Sequence, residues 1–175
     1  RFGFLFQGAA LFDSMTVFEN IAFPLKEKTR LSEEAIRAKV EEKLQEVGLQ
    51  GMEEKYPGDL SGGMKKRVGL ARAMILDPEI MLYDEPTTGL DPVMEHVIHR
   101  LIQACQEMVK CTGVLVSHNI AEVFEVAHQI AMLHNGVIIA QGTPGEIQAS
   151  DNPLVRQFIN GDIEGPMQYA LEGGA

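Results

Sequence analysis

Ile80-Met81-Leu82-Tyr83-Asp84-Glu85-Pro86 decides how the chain is read. The run from Ile80 to Tyr83 is apolar, bounded upstream by Asp77-Pro78 and downstream by two carboxylates and a proline, which is the pattern of a short buried strand. Such a strand delivers Asp84 and Glu85 side by side at its C-terminal end. Upstream, helical spacing begins near Gly63 and continues to about Leu76, where Asp77-Pro78 stops it. Downstream, Val97, Ile98, Leu101, Ile102, Cys105 and Met108 mark a helix over Val93 to Val109, and Val114-Leu115-Val116 follows as a second buried strand. Helices alternating with buried strands predict an α/β fold with a parallel sheet, and in open sheets of this kind the functional groups gather at the C-terminal strand ends.

The flanks fit the same frame. Ile36, Val40, Leu44 and Val47 recur at three- and four-residue steps, so the spacing predicts a helix over Leu31 to Val47, with Ser32 as its cap, Glu33 and Glu34 at its positive end and Gly48 as its stop. Phe4-Leu5-Phe6 is a further apolar run that leads into Gln7. Beyond a short helix around Ala121 to Ala127, the runs Ile130 to Leu133 and Val137 to Ala140 flank Asn135-Gly136, a strong hairpin signal. Two short helices are expected after Gly142-Thr143-Pro144, and a polar, glycine-containing tail over 161–175.

Composition narrows the classes. With 175 residues and 45% hydrophobic content the chain can bury one core, and one domain is expected over 1–160. No apolar run approaches the roughly 18 to 20 residues of a membrane-spanning helix. A net charge of -10 argues against a nucleic-acid partner, whose phosphates would call for clustered Lys and Arg. Cys105 and Cys111 have neither zinc-site nor disulfide-framework spacing and are expected to be reduced thiols. Arg1-Phe2-Gly3-Phe4 carries neither an initiator Met nor a secretory signal, and reads as an internal start.

Several residues carry chemistry. In Leu60-Ser61-Gly62-Gly63-Met64 two glycines remove bulk just before an amphipathic helix, so backbone N–H groups and the Ser61 hydroxyl can hold a phosphate at the positive helix end; the bland alternative is a Ser-capped helix after a turn. Asp84 and Glu85 can divide the work of phosphate hydrolysis, Asp84 holding Mg2+ and Glu85 polarising a water. Gly89-Leu90-Asp91-Pro92 follows, then Ser117-His118 at the next strand end, where an imidazole can meet a terminal phosphate. Gln7 also stands at a strand end, where its amide can reach metal or water. His96, His99, His128 and His134 have no such placement. Lys65-Lys66-Arg67 is read as a solvated helix face.

In this order, F-Q at Gln7, L-S-G-G at Leu60, a strand ending in Asp84-Glu85, G-L-D-P at Asp91 and S-H at His118 resemble the ABC ATPase family, with its Q-loop, signature, Walker B, D-loop and H-loop. The resemblance implies an ABC-type P-loop NTPase nucleotide-binding domain, a parallel-sheet core with a helical signature subdomain over about 20–75. It also implies ATP and Mg2+ as ligands. Gln7, Ser61, Gly62, Gly63, Asp84 and Asp91 would contact the nucleotide, Gln7 and Asp84 the metal, and Glu85 and His118 would be catalytic. Two such subunits would sandwich two ATP molecules and drive a membrane permease. Leu5-Phe6-Gln7, Gly8 to Asp13 (G-A-A-L-F-D), Thr16 to Asn20, Phe23-Pro24-Leu25, Met64 after the signature and Val155 to Gly161 further resemble the ATPases of Mla-type (MCE-linked) phospholipid transporters. That likeness implies regulatory and MCE-type lipid-binding subunits and a place on the cytoplasmic face of a bacterial inner membrane. Gly8-Ala9-Ala10 departs from the expected S-G-A.

No G-x-x-x-x-G-K-[ST] motif occurs, and there is no Gly-Lys dipeptide. The Walker A loop and the N-terminal strands leading to it are therefore expected to lie outside the sequence, and the isolated polypeptide is expected to be inactive and poorly stable. Two other readings are weighed. A DNA-repair type ATPase shares the signature, but between Gln7 and Leu60 there is room only for a small helical subdomain and no heptad array appears. A non-catalytic, regulatory cassette is the other alternative; Glu85 and His118, which a degenerate cassette can lose, are both present, so the upstream sequence is what discriminates it.

Overall fold

The strand β2 (Ile80–Asp84) lies between β1 (Phe2–Leu5) and β3 (Thr112–Val116), parallel to both. A computed structural model describes residues 1–167 of the chain. The register sets Leu5 beside Tyr83 and Asp84 beside Val116, which aligns the C-terminal ends of the three strands. Between β1 and β2 run α1 (Val17–Lys28), α2 (Glu33–Glu46), a 3-10 turn (Pro57–Asp59) and α3 (Gly62–Met74), and α4 (Pro92–Val109) connects β2 to β3. Each parallel pair thus has its crossover helix.

The chain divides into two compact units, Arg1–His118 and the residues from Asn119 onward, a division that falls inside the 1–160 span expected for one domain. In the first unit, α1, α2 and α3 pack on one another and α3 packs on β1. Ile21, Ala22 and Leu25 of α1, Ile36, Val40 and Leu44 of α2, and Val68, Leu70 and Met74 of α3 join Leu5, Met81 and Tyr83 in one core. The expected helix over Leu31 to Val47 is observed as α2, with the Ser32 hydroxyl accepting from the Ala35 amide and Gly48 at positive φ. The helix α1 was not assigned from sequence. Its start carries a reciprocal capping box between Thr16 and Glu19, and it tolerates Pro24. Buried Asn20 accepts from the Phe12 amide and donates to the carbonyls of Phe12, Met15 and Thr16, so the loop before α1 is built rather than slack.

Burial of β2 pushes the Tyr83 hydroxyl well above its ordinary pKa, with smaller contributions from Cys105 and Cys111, and the hydroxyl has no hydrogen-bond partner. Cys105 is buried, its thiol pushed up to about 12 by burial first and Glu46 second; Cys111 is half-buried, and both are free. The other sheet face is open. Phe4, Leu82 and Val114 stand in one row of the register, and Phe2, Phe4, Val114 and Val116 are 68%, 38%, 47% and 58% exposed. Among the described residues β3 pairs only with β2.

In the second unit, α5 (Ile120–Val126) precedes the antiparallel pair β4 (Ile130–His134) and β5 (Val137–Gly142), followed by α6 (Pro144–Gln148) and α7 (Pro153–Asn160). Asn135 and Gly136 both have positive φ, as a two-residue hairpin turn of this twist requires. The expected polar tail is anchored at its start: Gln157 donates to the carbonyls of Asp162 and Met167 and accepts from the Met167 amide, and Met167 is buried. The rest of that tail lies outside the described residues.

Parallel sheets are ordinarily covered on both faces, so the open face carries a prediction. The isolated chain self-associates through it, and Phe4→Ser combined with Val114→Thr shifts the population toward monomer in light scattering after size-exclusion chromatography. An unchanged distribution would exclude this face as the cause.

Candidate functional site

Every residue singled out for chemistry lies in the unit Arg1–His118. Gln7 follows β1, Asp84 ends β2 and Glu85 follows it, and His118 follows β3, so the parallel register carries all four to one sheet edge. The backbone of Glu85 is left-handed, at φ 45, a conformation that a non-glycine residue holds only when its surroundings impose it. They do so here. Its amide donates to the Val116 carbonyl at 2.9 Å and its carbonyl accepts from Lys66 Nζ at 3.1 Å.

The carboxylate of Glu85 is held as firmly. Oε1 accepts from the His118 backbone amide at 3.1 Å and meets His118 Nδ1 at 2.7 Å, while Oε2 accepts from Thr88 Oγ1 at 2.9 Å. Burial raises the pKa of this carboxyl, but the bonds from His118 and Thr88 and the nearby imidazole outweigh it and the net shift is downward. Glu85 is therefore an anion at neutral pH, and an anionic carboxylate only accepts, so His118 Nδ1 is a protonated nitrogen. The imidazole itself is 74% exposed. Three of the roughly four lone-pair directions of the carboxylate are filled, which leaves one for a water molecule.

The glycine-rich turn forms a Ser-capped helix start. Ser61 caps α3, its Oγ accepting from the Met64 amide at 3.3 Å, and Ser61 and Gly62 are exposed. Gly63 is buried against α4: a Cβ there would come within 2.6 Å of Met94 Cε, and one on Gly62 within 3.8 Å of Leu90. The second glycine thus lets the start of α3 close onto the segment after Glu85. Asp91 is occupied as the cap of α4, accepting from Val93 and Met94 amides at 3.0 and 3.1 Å.

Gln7 is exposed at the head of a turn in which Ala9 and Ala10 have φ 62 and 46. Left-handed alanine is unfavourable, and the turn is held by Arg72, whose guanidinium donates to the Ala9 and Ala10 carbonyls at 2.6 and 2.8 Å. Gly69 seats Ala9, since a Cβ on it would come within 3.1 Å of the Ala9 Cβ. Burial lowers the Arg72 pKa.

The basic triplet corrects the sequence reading of a solvated face. Lys66 is buried on Glu85, and Arg67 donates to the carbonyls of Val47 and Gly48; its burial lowers its pKa. Sequence reasoning also passed over Thr88 and Arg72. For Thr88 a signal existed, a hydroxyl three residues after Glu85, whereas a buried role for one lysine of three leaves none. Among the described residues no group of three or more His, Cys, Asp and Glu side chains is arranged to hold a metal alone. None of the described helices is long and apolar enough to cross a membrane.

The sequence profile of the family described as ABC transporter matches residues 1–88. The chain belongs to that family. Among curated relatives of this ABC family member, the "Probable ribonucleotide transport ATP-binding protein mkl" of Mycobacterium leprae is 47% identical over 98% of this chain and 49% of its own length. The intermembrane phospholipid transport system ATP-binding protein MlaF of Haemophilus influenzae is 41% identical over 97% of this chain and 64% of its own. The chain thus spans about half to two-thirds of these relatives. A solved dimeric, post-hydrolysis state of an ATP-binding cassette bound to ADP and Pi superposes with a TM-score of 0.74 at 32% identity, covering 82% of this chain and 63% of that one.

The hydrogen bonds around Glu85 give a direct check. Thr88→Val removes a donor without removing bulk, so the Glu85 titration moves up toward the ordinary carboxylate value in a carboxyl-carbon NMR titration. No movement would show that Thr88 does not hold the carboxylate.

Proposed function

We propose that the chain is the nucleotide-hydrolysing part of an ABC transporter subunit that powers phospholipid transport between membranes through a separate permease. The observation that carries the reading is the Glu85–His118 pair at the edge where Asp84 and Gln7 also emerge. Glu85, anionic and with one lone-pair direction unfilled, acts as the base that polarises the attacking water. His118 brings its imidazole to the γ-phosphate. Asp84 and Gln7 offer hard oxygen donors from neighbouring strand ends, a set that suits Mg2+. The ion, when bound, would neutralise charge on the phosphates.

Ser61, Gly62 and Gly63, with the positive end of α3 behind them, meet the phosphates of a nucleotide held mainly by a second copy of the subunit. Asp91, at the head of α4 and beside that turn, lies at the seam of the homodimer. Support for the dimer comes from the cassette solved as a dimer with ADP and Pi. Support for phospholipid as cargo comes from the relative named MlaF and from the stretches quoted above, while the relative named for ribonucleotide transport favours a second cargo within the same energetic scheme. The helical subdomain over about 20–75 and the core up to residue 160 form the ATPase domain. Small regulatory and MCE-type lipid-binding subunits complete the assembly, at the cytoplasmic face of a bacterial inner membrane.

In the full-length protein, Glu85→Gln lowers steady-state ATP hydrolysis by about 100-fold or more while nucleotide binding persists in equilibrium dialysis. Unchanged turnover would remove Glu85 from the role of base. Ser61→Arg places bulk and charge where the phosphate sits and abolishes ATP-dependent dimerisation in analytical ultracentrifugation; dimerisation at the wild-type level would count against the sandwich.

A further inference from the structure

Lys66 is 5% exposed, and its ammonium reaches across from α3 to the backbone carbonyl of Glu85 at 3.1 Å. Withdrawing an ammonium from water costs several kcal/mol unless its donors are met, and an apolar side chain between Met64 and Val68 would fill the same place on the helix. The partner it meets is unusual in turn. Glu85 holds a left-handed backbone, which a residue other than glycine keeps only when its surroundings impose it. Its other restraints, from Val116, His118 and Thr88, come from β3, the residues after β3 and its own turn. Among the described residues, the bond from Lys66 is the only one to Glu85 that arrives from α3.

We infer that Lys66 is a positioning residue that ties the Glu85 peptide to the helix whose first turn is Ser61-Gly62-Gly63. The inference rests on the reading of Glu85 as the base. Five residues separate Ser61 from Lys66, an axial rise of about 7.5 Å along one regular helix, and α3 has no proline. Movement of the phosphate-facing end of α3 is therefore delivered to the Glu85 carbonyl without an intervening joint. The peptide that follows Glu85 turns with it, and so does the direction in which the carboxylate leaves the backbone. Lys66 makes the aim of the base depend on the position of α3 in the same chain.

The test compares Lys66→Met with Lys66→Arg in the full-length protein. Removing the donor lowers kcat for ATP hydrolysis about ten- to a hundredfold and leaves KM for ATP nearly unchanged, and arginine, which keeps a donor, restores most of the rate. Hydrogen exchange at the Glu85 amide, bonded to Val116, rises in the methionine variant and not in the arginine variant. Wild-type kcat in folded Lys66→Met overturns the proposal, and so do equal losses in both variants with kcat and KM shifted together, which is the mark of packing alone. If Lys66→Met does not fold, Lys66→Gln takes its place with the same criteria. Glu85→Gln is run alongside: if it retains turnover, the catalytic reading has failed, and the Glu85 amide exchange alone decides whether the tether exists.

Discussion

Parallel pairing of β2 with a neighbour on each side is the constraint on which the rest of the unit depends. A parallel ladder aligns like ends, so residues remote in sequence, Gln7, Asp84-Glu85 and His118, leave the sheet along one edge because of register alone. The crossover helices α3 and α4 share one core with the sheet and pack on each other. Gly63 allows α3 to close against Met94, and Lys66 and Arg72 reach from α3 to the Glu85 carbonyl and to the turn after Gln7. A single helix thus touches the segments that follow two different strands.

Both strained backbones in the site lie under its control. Glu85 and the Ala9-Ala10 pair hold left-handed conformations without glycine, and in each case a cation on α3 donates to a carbonyl of the turn, at Glu85 alongside the Thr88 amide. The guanidinium of Arg72 and the gap at Gly69 hold the Gly8-Ala9-Ala10 turn in place. The cost of withdrawing the Arg72 guanidinium from water is offset by the two backbone carbonyls it meets.

Most of the frame could be read from the sequence because it is written in local signals. Ser32 and Gly48 bound α2, Asp77-Pro78 ends the signature helix, and Asn135-Gly136 turns the hairpin. The positions of Asp84, Glu85 and His118 followed from strand ends. What escaped was set by tertiary contact. The capping box at Thr16 and Glu19 was legible, but Pro24 inside the pattern speaks against a helix, and α1 exists because its apolar side is buried on α2 and α3. Lys66 was taken for surface because three consecutive basic residues on a helix point in three directions, and nothing local tells which one faces the interior. The bonds of Thr88 and Arg72 span turns whose geometry depends on left-handed residues that are not glycine.

The isolation of Tyr83 has an optical consequence. The sequence contains no tryptophan and three tyrosines, and Tyr83, on the central strand with its hydroxyl unpartnered, is 1% exposed whereas Tyr56 is 48% exposed. The near-ultraviolet spectrum of the folded chain is thus drawn in part from a chromophore sealed beside the turn that carries Glu85. Because burial keeps that phenol protonated into strong alkali, the appearance of its phenolate band marks the moment at which the central strand loses its cover, an intrinsic dye placed where an added label would not fit.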